Sequence, residues 1–260
     1  MENSDITDFL MREGADLVGI GKVEDFAQAS PKRSPIDILP NAKSIIVFAL
    51  KHSDSALDSP IMRISMSETL AIYHELCRIG YRLSRFLEKN GFLGVTIHPA
   101  YPVEMNEETR GLVGDFSLRY AAVSAGLGFI GKNGLLITPE YGPRVRLAAV
   151  ITNIDLKSNA RCIEPNCGMC TLCIENCPAK AISLEGVDTR RCAKVVGGPA
   201  GLNSMIKFLI ELVDQSKEEI KKMIRSSSLW NFHQALQVGI SYDCFSCITS
   251  CPVGKRLKAL

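Results

Sequence analysis

The chain has 260 residues, 46% of them hydrophobic and 22% charged, and its 30 basic and 28 acidic side chains leave a net charge of +2. A chain of that size buries a core in one or two domains, and a charge so balanced gives no broad electrostatic footprint for nucleic acid or an anionic membrane. The N-terminal MENSDITDFL carries acids instead of a basic, apolar leader, and no apolar run is long enough to cross a bilayer, so the expectation is a cytoplasmic protein with no membrane partner.

In chain order, residues 5–13 read as a short helix and Asp16–Ile20 as a strand. Ser44–Leu50 (SIIVFAL) is β-branched, apolar and bounded by turn residues, the mark of a buried strand. Residues 66–89 place Leu70, Tyr73, Leu76, Leu83 and Leu87 near helical spacing and stop at Asn90-Gly91. Gly94–Ile97 reads as a strand and 115–125 as a helix running into glycines. Leu135–Thr138 and Val145–Thr152 read as strands joined by the turn PEYGP. One dominant core of mixed elements gives an α/β or α+β domain over 1–155. The polar segment Asp155–Arg161 reads as a linker to a second domain, 156–260, which carries a helical insertion at about 197–240. Within that insertion, Lys217–Arg225 reads as a helix with Ile220, Met223 and Ile224 on its buried side.

Nine of the ten cysteines lie between Cys162 and Cys251. Cytosolic thiols stay reduced, so such a cluster reads as metal-binding rather than as disulfides. The first motif is Cys167-x2-Cys170-x2-Cys173-x3-Cys177-Pro178. In two-cluster ferredoxins, three cysteines of such a run hold one 4Fe–4S cluster while the fourth crosses to the other. The second motif, Cys244-x2-Cys247-x3-Cys251-Pro252, lacks its first cysteine, because Ser241 stands there. Cluster one is therefore expected on Cys167, Cys170, Cys173 and the crossing Cys251. Cluster two is expected on Cys244, Cys247 and the crossing Cys177, with a fourth thiolate from Cys192, or failing that Cys162. The competing readings are a structural zinc site, which also uses Cys-x2-Cys pairs, and plain reduced thiols.

Residues 125–134, AGLGFIGKNG, satisfy G-x-G-x-x-G through Gly126, Gly128 and Gly131 and G-x4-G-K through Lys132, although Asn133 replaces the usual Ser or Thr. Both phosphate motifs need a strand before and a helix after. Here a helix precedes and a strand follows, so the run reads as backbone approaching a bulky ligand, or as a tight turn.

Taken together, LPNAKSIIVFAL (39–50), YHELCRIGYRLSRFLE (73–88), AGLGFIGKNGLLIT (125–138), the motif at 167–178, RRC (190–192) and CFSCITSCP (244–252) resemble the epoxyqueuosine reductases, iron–sulfur enzymes related to the cores of reductive dehalogenases. The resemblance implies a nitroreductase-like, cobalamin-binding N-terminal domain and a ferredoxin-like domain with two clusters. Electrons would enter from a donor such as a ferredoxin or flavodoxin and reduce cobalt, which then reduces a small-molecule or modified-nucleoside substrate. It supports Cys192 as the eighth cluster ligand, and it places Gly126, Gly128, Gly131, Lys132 and Asn133 behind the corrin. Where the family has a proton-donating aspartate this chain has Leu112, and Asp115 is the nearby candidate. The chain also lacks the helical-repeat extension of some members, and its spacing from Cys192 to Cys244 is longer. These departures weigh against epoxyqueuosine as substrate and transfer RNA as partner. The alternative function is a non-catalytic electron-transfer protein serving a partner.

Overall fold

A computed structural model describes residues 1–27, 34–99, 114, 116–159, 167–196, 209–213, 215–225 and 244–254. The first domain is built on a four-stranded sheet of β1 (Leu17–Lys22), β2 (Ser44–Lys51), β3 (Gly94–Ile97) and, from later in the chain, Val145–Thr152, in the order β1, β2, Val145–Thr152, β3. Every pairing is antiparallel, which settles the α/β-or-α+β expectation in favour of α+β.

Both faces of this sheet are covered, which is why SIIVFAL reads as a continuous apolar run rather than an alternating one. Ile46, Phe48, Ala148 and Val150 face α1 (Asn3–Arg12) and the long α5 (Met62–Lys89), meeting Ile6, Leu10, Leu76, Ile79 and Leu83. Ile45, Val47, Ala49, Leu147 and Ile151 face the other way, onto α2 (Val23–Ala27) and α6 (Leu118–Ser124). Two short helices, α3 (Pro35–Ile38) and α4 (Asp54–Leu57), complete this part; both begin with a serine whose hydroxyl accepts from the first turn. In α5 the buried positions Thr69, Ile72, Tyr73, Leu76, Ile79, Leu83 and Leu87 keep the helical spacing.

After α6 the chain forms a small hairpin of β4 (Phe129–Ile130) and β5 (Leu136–Ile137), then the turn into β6, the strand Val145–Thr152. The hairpin's first strand falls inside the glycine run, where the sequence reading has a close approach to a bulky ligand or a tight turn and no strand.

The described part of the expected linker is fastened to the first domain. Asn159 exchanges bonds with the Ile20 backbone at 2.8 and 2.6 Å, and the Leu156 amide donates to Ser44 Oγ at 3.0 Å. Leu156 is buried against the sheet core, so an apolar anchor hides within a polar segment. The cysteine-bearing part contains α7 (Leu172–Glu175), α8 (Thr189–Val196) and the helical turn Ser246–Thr249, which packs on α7. Helix Lys217–Ile224 opens with a capping box between Ser216 and Glu219. Its expected buried side is only half realised: Ile220 and Met223 are half-buried, whereas Ile224 is exposed. Among the described residues no helix is long and apolar enough to cross a membrane.

Candidate metal centre

The loop geometry of the first motif is local. The Cys170 amide donates to Cys167 O, Gly168 takes a positive φ of 47°, and α7 carries Cys173 before the chain turns at Cys177. Beyond it, the Ala181 amide donates to the Cys177 sulfur at 3.3 Å, and α8 presents Cys192. The second motif wraps Ser246–Thr249 in the same way, with Cys247 inside the turn and Cys251 just after it.

Four of the thiols are raised by burial and by neighbouring cysteines. Burial pushes the Cys173 thiol up, and Cys167, Cys170 and Cys251 push it further. Burial likewise raises Cys192, with Cys244 and Cys177 as the reinforcing neighbours. Cys247 is pushed up to about 12, by burial first and then by Cys244, Cys192, Cys173 and Cys177. Cys251 is raised by burial, and among its neighbours Cys167 and Cys170 raise it while Arg144 lowers it. Thiols of the two motifs thus lie near one another: Cys251 feels Cys167 and Cys170, and Cys247 feels Cys173 and Cys177 as well as Cys192 and Cys244. All described cysteines are free thiols. Clustered, half-buried thiols of raised pKa hold their protons until a metal takes the proton's place.

Among the described residues, no three His, Cys, Asp or Glu side chains converge as ligands of a single metal ion.

The first domain grips both cysteine segments, and the glycine run supplies two of the grips. Lys132 Nζ donates to Gly168 O at 2.9 Å and Cys170 O at 3.0 Å. Asn133 Nδ2 donates to Cys247 O at 3.3 Å, while its Oδ1 accepts from the Leu135 amide. Neither residue meets a phosphate-binding helix, because β4 and β5 flank them. The glycines have an internal reason: a Cβ on Gly128 would stand 2.1 Å from Ile137 O, and one on Gly131 would stand 2.7 Å from the Ile137 side chain. Packing against the chain's own hairpin is therefore sufficient reason for glycine at both positions. At Gly126 the requirement is a positive φ of 78°, which ends α6. A second close approach joins Gly142 and Gly254, where the backbones of Tyr141 and Val253 leave no room for side chains.

Sequence reasoning missed Arg144 and the group around His52. Arg144 is fully buried and donates from Nη1 to Ile248 O (3.1 Å) and Cys251 O (3.4 Å) and from Nη2 to Thr249 O (3.4 Å). Arg146 Nε donates to His52 Nε2 at 2.9 Å, so the neutral ring carries its proton on Nδ1 and donates it to Glu68 Oε2, also at 2.9 Å. Burial, then Arg146, lowers the His52 pKa to about 4. The Arg146 guanidinium also lies over the rings of Tyr73 and Phe245, tying the group to the second cysteine motif. The available signal was two arginines at alternate positions of PRVRLAAV, which put both charges on one side of a buried strand.

Other candidates fall elsewhere. Asp115, Leu112 and Cys162 lie outside the described residues. His74 is exposed on α5, and His98 Nδ1 stands 3.1 Å from the Cys77 thiol, away from the two cysteine motifs.

No protein-family model matches the chain. It is 29% identical to epoxyqueuosine reductase of Bacillus subtilis over 234 residues, covering 85% of this chain and 50% of that one. The chain is a homologue of the epoxyqueuosine reductases and of the reductive dehalogenases. A solved epoxyqueuosine reductase superposes with a TM-score of 0.64 at 22% identity, covering 96% of this chain and 65% of that one. A reductive dehalogenase structure, described with a mechanism for B12-dependent dehalogenation, gives 0.55 at 18% identity over 90% of this chain and 36% of that one. The chain spans about half the length of the epoxyqueuosine reductases it matches.

Proposed function

We propose that this chain is an iron–sulfur oxidoreductase that holds two 4Fe–4S clusters and reduces a substrate with electrons taken from a ferredoxin- or flavodoxin-like donor. The observation that carries the reading is the spacing of Cys167, Cys170, Cys173 and Cys177 and of Cys244, Cys247 and Cys251, two motifs whose thiols lie near one another. Cys167, Cys170, Cys173 and Cys251 would hold one cluster, and Cys177, Cys192, Cys244 and Cys247 the other. When bound, such clusters accept and pass on single electrons at potentials set by their surroundings. Lys132, Asn133 and Arg144 keep the ligand loops in place through their carbonyls, and the Ala181 amide donates to the Cys177 sulfur. The homology to two families of reductases supports the reaction class.

Cobalamin as the electron acceptor rests on kinship, including the B12-dependent dehalogenase among the structural neighbours. Gly128 and Gly131 have a reason of their own to be glycine, the close approach of Ile137. Leu112 in place of the family's aspartate favours a second reading in which the chain relays electrons to a partner and has no substrate of its own.

Protein purified without oxygen should be brown and carry about eight irons, the content of two four-iron clusters. Stoichiometric zinc without a visible charge-transfer band would overturn the reading. Titration with cob(II)alamin then separates the two forms: binding near one equivalent, with an altered EPR signal, supports the cobalamin-dependent reductase, and its absence supports the relay.

A further inference from the structure

The first domain meets the cysteine loops with two cations, and one of them is sealed from water. Arg144 stands just before β6 with no exposed surface, and its Nη1 and Nη2 face the end of Ser246–Thr249. The last carbonyls of a helical turn have no intrahelical partner, and the guanidinium supplies one to Ile248, Thr249 and Cys251 at once. Buried charges are ordinarily matched by a hydrogen-bonded counter-ion. Here the match is incomplete. Asp54 Oδ1 lies 3.4 Å from Arg144 Nε, yet neither atom has a hydrogen-bonding partner. The other Asp54 oxygen accepts from Lys51 at 3.0 Å, so that one carboxylate serves two cations. Asp58, part-exposed, is 3.9 Å from Nη2. The hydrogen bonds of the fork go to neutral carbonyls on the cysteine side, the shortest of them to Ile248 O at 3.1 Å.

We propose that Arg144 is a positioning residue that also sets the reduction potential of the cluster completed by Cys251. The inference rests on the two-cluster reading above. Reduction adds a negative charge to a cluster, and a buried cation beside one of its ligands stabilises the reduced form, which moves the potential positive. Water and salt cannot screen Arg144 as they screen exposed charges. The second cation, Lys132, acts on the same set, through Gly168 and Cys170 on the opposite loop. Beside the other set, Arg191 next to Cys192 is well exposed and paired with Asp188, so its field is damped, while Arg146 lies over the Phe245 ring between Cys244 and Cys247 and is bonded to His52. What singles out the cluster holding Cys251 is that Arg144 reaches its ligand's own carbonyl.

The test uses the full chain, purified anaerobically, with iron and sulfide analysis and an EPR-monitored potential titration against dithionite. Asp54→Asn removes the counter-charge and leaves the fork; it should shift one midpoint positive and leave the other unmoved. Arg144→Met combined with Asp54→Asn avoids stranding a buried carboxylate; it should shift that same midpoint below the wild-type value. Arg144→Lys keeps the charge but not the fork, so its midpoint should lie nearer wild type than the double variant's, with partial loss of iron. If the double variant sheds that cluster altogether, the positioning role stands and Asp54→Asn alone decides the potential. Full iron content with both midpoints at wild-type values in Asp54→Asn and the double variant would overturn the proposal. Wild-type protein without iron would instead overturn the cluster reading, and the proposal would fall with it.

Discussion

The sheet and the cysteine loops are held together by different physics. In β2, five consecutive residues, Ile45–Ala49, are wholly sealed between two helical layers. Among the described residues of the cysteine segments the buried apolar side chains are Ala181, Ile182, Phe245 and Ile248, while Met169 is 95% exposed and Leu184 70% exposed. The first region folds by removing apolar surface from water. The described cysteine loops bury less of it, and are held by carbonyl grips from the first domain and, on the proposed function, by metal ligation. Stability and electron chemistry are therefore separable by mutation.

The largest expected effect falls on the sheet. Phe48 is fully buried between β2 and α5, and Phe48→Ala should cost about 3–5 kcal/mol of unfolding free energy. Denaturant unfolding of the aerobically handled, iron-free protein measures it; an unchanged midpoint would mean that the sheet is not the stable unit. A smaller effect follows from His52, which lies where the regions meet. Its pKa is lowered to about 4 in the fold against 6.5 for the free side chain. Between those values the unfolded chain binds a proton that the folded one refuses. Stability present above pH 6.5 is therefore lost as pH falls toward 4, by on the order of 3 kcal/mol. His52→Asn should flatten that slope in urea melts across the window. The smallest effect on stability, and the sharpest on iron, belongs to Cys192. Cys192→Ala should remove about half of the iron while the sheet's unfolding midpoint stays in place, and Cys162→Ala should leave both unchanged. Full iron in Cys192→Ala would return the eighth ligand to Cys162.

Much of this was legible in the chain. The apolar runs at 44–50 and 145–152 and the spacing across 66–89 announce β2, β6 and α5, because burial on both faces and helical amphipathicity write themselves into local patterns. The cysteine spacing announces two motifs of metal-binding type. Kinship was readable from short blocks in the right order.

What the sequence by itself determined is therefore local: which segments are strands and helices, where the two cysteine motifs lie, and that the glycine run follows a helix instead of a strand. Only the tertiary structure decided the long-range matters. It gave the antiparallel order of strands, pinned Leu156 and Asn159 to the sheet, packed Gly128 against Ile137, and pointed Lys132 and Asn133 at the cysteine loops. It also buried Arg144 beneath Cys251, 107 positions away. The reason is that a hydrogen bond across such a separation leaves no periodicity in either segment. An arginine reads as a surface charge until the fold shows the carbonyls around it.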